Sequence, residues 1–251
     1  MMLVWGLSAG LFVLAIVSGM LGLGVAFAAV PFLGLFLPDL VHQVQPLTLL
    51  LNGVTALFAT FGFARSGHVR WKDATLLAIV TTVVAPGGAL LAQIVPQLYI
   101  WIVYFAAVVF LAIRMLMPEA KKKDEDEESG SGNLKAALLL AIPISVLAGL
   151  LGIGPGFLLM PTLILLGFPP KKAAGINALA VTPPSFSALI PHMATATVDL
   201  NLAAWLLLAG AVGAFLGARI TSLYVPGGRL KQLFGLLIVI TTAYKLYTML
   251  A

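Results

Sequence analysis

One glycine-broken apolar stretch occurs twice in this chain, and it limits the available folds more than any other feature. Ser18-Gly19-Met20-Leu21-Gly22-Leu23-Gly24-Val25-Ala26-Phe27, running on to Pro31, recurs as Ala148-Gly149-Leu150-Leu151-Gly152-Ile153-Gly154-Pro155-Gly156-Phe157, running on to Pro161. The two copies align without gaps over fourteen residues at an offset of 130. Glycine weakens a helix interior and uncovers its backbone. Lipid offers uncovered backbone groups no water, so such a break belongs where it is buried in protein or lines a cavity. Paired Gly/Pro-interrupted apolar segments in matching halves of a membrane chain point to a binding site between the halves.

Composition makes this a membrane chain. Of 251 residues, 61% are hydrophobic and 9% charged, with a mean hydropathy of +1.09; soluble domains carry about 25% charged residues. The net charge of +5 and pI near 9.6 come from basic residues at predicted helix ends, which does not suggest nucleic acid. Without cysteine there are no disulfides and no thiol redox or thiolate metal sites, and the three histidines are too far apart for a metal cluster. No cofactor is expected. The start, Met1-Met2-Leu3-Val4-Trp5, lacks the positive charge of a cleaved signal peptide.

The pattern predicts an all-α polytopic protein of two repeats, 1–117 and 135–251, joined by a linker at 118–134. The first repeat holds a helical hairpin at 3–37 and crossings at 46–64, 73–95 and 98–117, the second of them kinked at Pro86-Gly87-Gly88. The second arm of the hairpin has roughly 13 residues, about 20 Å of helix, whereas a crossing needs about 20 residues; its tip is therefore expected near mid-membrane. The linker carries five of the nine acids, at 124–128, and reads as a charged flexible tether. The second repeat has a hairpin at 135–167 and crossings at 172–191, 200–221 and 230–249. An offset of 129 pairs its crossings with the first set, so that Thr48 matches Asn177 and Val69 matches Val198.

Lysine and arginine set the orientation. Arg65, Arg70 and Lys72, then Arg114 with Lys121 to Lys123, then Lys171 and Lys172, and finally Arg219, Arg229 and Lys231 mark cytoplasmic ends, while the turns near Pro96 and at 193–199 have no basic residue. Segments 46–64 and 172–191 then run in opposite senses. The repeats are inverted, the linker is cytoplasmic, and both termini face outward from the plasma (inner) membrane.

The duplicated glycine hairpin, together with Gly-Phe-Pro-Pro-Lys-Lys-Ala-Ala-Gly-Ile-Asn at 167–177, resembles the TauE/SafE sulfite-exporter family, also called the toluene-sulfonate-uptake permease superfamily. The likeness covers nearly the whole chain outside the linker. It implies a secondary transporter of small sulfur-containing anions such as sulfite, sulfonates or sulfoacetate. In the first hairpin Val25 and Ala26 stand where the second has Pro155 and Gly156, so the two hairpins would meet a substrate unequally.

Short helices starting near Val25 and Pro155 would aim their N-termini at mid-membrane, where free N–H groups and the helix dipole attract an anion. Gly22, Gly24, Gly152, Gly154 and Gly156 allow the backbone to approach it. Thr48, Asn52 and Thr55 share one helix face. Asn177 lies on the matching helix, and Thr182-Pro183-Pro184-Ser185 should disturb that helix and free carbonyls. Neutral donors at Thr48, Asn52, Asn177, Thr182 and Ser185 would bind oxyanion oxygens; interhelical hydrogen bonding is the plainer alternative. Phe27 and Phe157 would wall the site or pack. His192 is a candidate gate or proton site, and Gln43 and Gln45 read as loop residues. No Asp or Glu falls mid-crossing, so no buried carboxylate relay is expected. No Ser/His/Asp arrangement, metal cluster or phosphate loop suggests an enzyme. The expected partners are a small anion and the lipid bilayer, with a homo-oligomer left open. An anion channel, or a permease for another small organic anion on the same scaffold, is the alternative function.

Overall fold

The structure, a computed structural model, describes residues 2–91, 132–194 and 196–227, with Val95, Pro96, Tyr99, Ile102, Ala106, Arg229, Leu230 and Gln232. The expected crossings at 98–117 and 230–249 and nearly all of the linker lie outside the described residues. Among the described residues eight α-helices follow in order: α1 Met2–Leu21, α2 Ala26–Leu33, α3 Gln45–Ala64, α4 Trp71–Leu91, α5 Leu134–Leu151, α6 Gly156–Leu165, α7 Pro170–Leu189 and α8 Leu200–Tyr224. There is no strand among the described residues. Six of the helices, all but α2 and α6, are long and apolar enough to cross a membrane. Their outer faces carry large apolar residues in the open, among them Val83, Leu139 and Leu208, as suits a lipid solvent.

Each hairpin is a long helix, a glycine turn and a short helix. Gly22 and Gly24 adopt φ of +64° and +72°, and their counterparts Gly152 and Gly154 +65° and +73°. These left-handed values are open mainly to glycine, and at Gly22 and Gly152 they turn the chain so that Leu23 N–H returns to Ser18 O and Ile153 N–H to Ala148 O, closing α1 and α5. The returning helices α2 and α6 have 8 and 10 residues, about 12 and 15 Å at the usual rise, half a bilayer core. Residues 21–27 and 151–164 are buried throughout, which is where broken backbone must lie. Pro155 is the residue just ahead of α6, not the first within it.

Close packing is built from small residues. A Cβ on Gly19 would overlap Ala214 O, and one on Gly217 would overlap Ile16 O, so α1 and α8 touch backbone to backbone. The same contacts recur between α5 and α4, where Gly149 lies on Ala85 O and Gly88 on Val146 O. The expected offsets of 130 and 129 carry each of these pairs onto its counterpart. The other main contacts, α3 with α8, α4 with α7, and α3 with α7, also exchange consistently. Phe27 and Phe157, equivalent in the two copies, stack at 5.4 Å.

The prolines do not break their helices. α4 runs through Pro86 and α7 through Pro183 and Pro184, contrary to the expected disturbance of α7. A proline frees the carbonyl four residues earlier: Thr82 O before Pro86 and Ala180 O before Pro184. Each is taken by a hydroxyl of the other helix, Ser187 Oγ donating to Thr82 O at 3.0 Å and Thr81 Oγ1 reaching Ala180 O at 2.9 Å. Thr81 has one proton for three carbonyls within reach, and Ala180 O is the one without an amide partner. Thr81→Val and Ser187→Ala are each expected to destabilise the protein by about 0.5–2 kcal/mol, read as unfolding temperature in detergent. Unchanged temperatures in both variants would mean that these hydroxyls do not hold the carbonyls.

Candidate functional site

The two hairpin tips meet against α3 and α7. Asn52, on α3 and fully buried, lies between them: a Cβ on Gly24 would overlap its Oδ1, and one on Gly154 would overlap its Nδ2. Its Oδ1 accepts from Ala26 N at 2.8 Å, at the start of α2, and its Nδ2 donates to Ser185 Oγ on α7 at 2.8 Å. Ser185 passes its own proton to Val181 O at 2.7 Å. One turn beyond Asn52, Thr55 Oγ1 accepts from Val25 N at 3.1 Å and donates to Leu51 O at 2.7 Å. The first two amides of the α2 terminus are therefore occupied by side chains of α3.

Asn177 is the corresponding group on α7, also fully buried. Its Nδ2 donates to Gly22 O at 2.7 Å and to Gly156 O at 3.3 Å, joining both hairpins. Its Oδ1 has no hydrogen-bond partner. Gly156 fits so tightly that a Cβ would come within 2.5 Å of Leu23 O and 3.1 Å of Asn177 Nδ2. At an offset of 129 the residue matching Asn52 is Val181, which cannot accept a hydrogen bond. Among the described residues no side chain caps the Gly156 N–H. The two tips are thus unequal, as the Val25/Pro155 and Ala26/Gly156 differences imply.

Gly22, Gly24, Val25, Asn52, Gly154, Pro155, Gly156, Asn177 and Ser185 come together at this junction. Thr48 and Gly152 meet Gln45 instead, Thr48 Oγ1 donating to Gln45 O at 3.0 Å and Gly152 facing the Gln45 side chain. Thr182 turns back on its own helix to Ala178 O at 2.9 Å. His192 closes a short 3₁₀ turn, Ile190–His192, fifteen residues along the chain from Asn177 and thus about 20 Å from the tips at helical rise. Gln43 and Gln45 are not loop residues: Gln43 is in a π-helical turn, Leu40–Val44, and Gln45 starts α3. Ser18 was not among the expected site residues, and Thr55, expected on the Asn52 face, meets a helix start rather than open space. Ser18 Oγ donates to Gly24 O and so fixes the first tip; Thr55 caps α2.

The junction is neutral. Asp39 pairs with His42 at 2.8 Å, Asp73 with Arg70 at 3.1 Å, and Asp199 caps α8 through Asn201 N and Leu202 N. All three carboxylates thus serve helix ends. No group of His, Asp or Glu suited to a metal occurs among the described residues. What remains at the junction is amide groups, a hydroxyl, carbonyls and helix-terminal N–H groups, which can bind a small ligand but offer no nucleophile with a base beside it.

The family model described as "Sulfite exporter TauE/SafE" matches residues 7–245. The chain belongs to the TauE/SafE family. This TauE/SafE protein is 25% identical over 219 residues to a probable membrane transporter protein, YdhB, of Bacillus subtilis (strain 168), covering 85% of this chain and 88% of that one. It is also 25% identical over 236 residues to a probable membrane transporter protein of Xylella fastidiosa (strain 9a5c), covering 91% and 89%. A third probable membrane transporter protein, of Methanocaldococcus jannaschii, is 23% identical over 192 residues, covering 74% and 71%. No solved structure matches the chain. Family and relatives together make this TauE/SafE chain a multi-pass membrane transporter.

Proposed function

We propose that the protein is a secondary transporter that exports small sulfur-containing anions, of the sulfite, sulfonate or sulfoacetate class, across the plasma membrane. The anion is held between the hairpin tips by Asn52, Asn177, Ser185 and the N-terminus of α6. The observation that carries this reading is the convergence of two glycine-bent helix starts on two buried asparagines with no charge nearby. Helix N-termini and neutral donors suit an anion that must also be released. Asn52 Oδ1, 2.8 Å from Ala26 N, stands where an anion oxygen would sit. It is a built-in substitute that an arriving anion displaces.

The two repeats are read as inverted, with the Phe27–Phe157 stack on the axis relating them, the linker cytoplasmic and both termini outside. Exchange of the tip contacts between halves is the movement such a scaffold offers. Export follows from charge: with the inside negative, one negative charge moving out gains about 2.3 kcal/mol per 100 mV, and no carboxylate at depth is needed. Purified protein should be stabilised by sulfite, thiosulfate or sulfonates, by about 2.7 kcal/mol at a hundredfold excess over Kd, and not by carboxylates of equal charge. Equal stabilisation by carboxylates would favour a permease for other organic anions.

A further inference from the structure

The sequence reading leaves Asn177 as one more donor to an oxyanion, but its geometry gives it another task. Its Nδ2 faces two carbonyl oxygens, Gly22 O at 2.7 Å and Gly156 O at 3.3 Å. The amide atom facing two acceptors must be the nitrogen, so both donor protons are committed to backbone. The other end, Oδ1, is buried and unpartnered. A fully buried acceptor without a donor is rare enough in native proteins to require a reason.

Oδ1 belongs to the side chain packed against Gly156, the residue whose N–H opens α6 and has no capping side chain. That first turn therefore offers the Gly156 N–H as a donor, and the side chain beside it offers Asn177 Oδ1 as an acceptor. An oxyanion bearing only acceptor oxygens satisfies the first and is repelled by the second. An oxyanion that also carries an O–H satisfies both. We infer that the preferred substrate carries a hydrogen-bond donor of its own, as a singly protonated oxyanion does, and that Asn177 Oδ1 accepts a hydrogen bond from it. Asn177 is then a specificity-determining residue. A proton on the substrate crosses with it, so a neutral site needs no carboxylate of its own to move one. This inference rests on the proposal that the anion binds between the hairpin tips.

Hydroxymethanesulfonate and ethanesulfonate test it without a variant: they match in charge and nearly in size, and differ in an O–H against a methyl. The wild-type protein, purified in detergent and titrated calorimetrically, should bind hydroxymethanesulfonate about fivefold to tenfold more tightly. In Asn177→Ala the two affinities should become equal. Equal affinities in the wild type, or a preference for ethanesulfonate, would overturn the inference while leaving sulfonate binding at the tips intact. A preference that survives in Asn177→Ala would move the donor-reading group elsewhere and overturn it too. Binding of neither anion would sink the proposed function and this inference together.

Discussion

Gly22→Ala is expected to be among the most damaging single substitutions in this protein, costing about 3 kcal/mol or more. Two effects add. The residue has φ +64°, which costs a residue with a Cβ about 1–2 kcal/mol. The new Cβ would also overlap Ala174 O on α7, and overpacking typically costs a further 1–3 kcal/mol. A backbone oxygen on a full-length helix cannot step aside as a side chain can. Moving the tip instead would break the Asn177 Nδ2 bond to Gly22 O. Gly67 is the internal control: its φ is +70°, but nothing lies within 4 Å of a Cβ there, so Gly67→Ala should lose only the conformational part, about 1–2 kcal/mol. Thermal unfolding of the two variants in the same detergent separates the contributions. Equal shifts would show that the first tip is not held against α7.

Substitution at Asn52 is expected to remove transport while leaving a folded protein. Asn52→Ala deprives Ala26 N of its acceptor, at about 1–3 kcal/mol for an orphaned buried group, and leaves Ser185 Oγ with Val181 O alone. It also deletes the side chain between Gly24 and Gly154 that we propose exchanges places with the anion, so anion flux should fall by about tenfold or more. Asn52→Asp is the sharper variant. It keeps an acceptor for Ala26 N and puts a carboxylate oxygen in place of the donor to Ser185 Oγ. A fixed negative charge about 4 Å from an arriving anion costs about 4 kcal/mol at an effective dielectric of 20, roughly a thousandfold in binding. A folded Asn52→Asp protein with wild-type flux would return Asn52 to a packing role.

The hairpins were legible in the sequence because they occur twice. A single Gly-x-Gly in apolar sequence has many uses, but two in register predict two tips, and Gly22, Gly24, Gly152 and Gly154 all take left-handed values at those positions. Asn52 and Asn177 were legible because an amide inside a crossing needs a partner across helices. The threonines were not separable by sequence. Thr48, Thr55 and Thr182 all donate to carbonyls of their own helices, and Thr55 alone also reaches a tip, through the spare lone pair that accepts from Val25 N. Which hydroxyl lies opposite a tip depends on the rotation of α3, which the chain does not reveal locally. The prolines misled for a related reason. The loss of an amide donor could be read from Pro184, but the hydroxyl that answers it, on Thr81, lies 99 residues away on another helix. Gln43 was hidden because the run after Pro38-Asp39 coils as a π-turn, and Gln45 because α3 begins one residue ahead of Pro46.

We propose that a small sulfur anion is carried, not conducted, through the junction of the two tips. Sulfite exit from proteoliposomes, measured against concentration under an imposed potential, tests it most directly. Carriage at the tips should give flux that saturates with sulfite, accelerates when the sulfite-containing side is negative, and is lost in Asn52→Asp. Flux that rises without saturation as a voltage-driven current, or that survives Asn52→Asp unchanged, would contradict it.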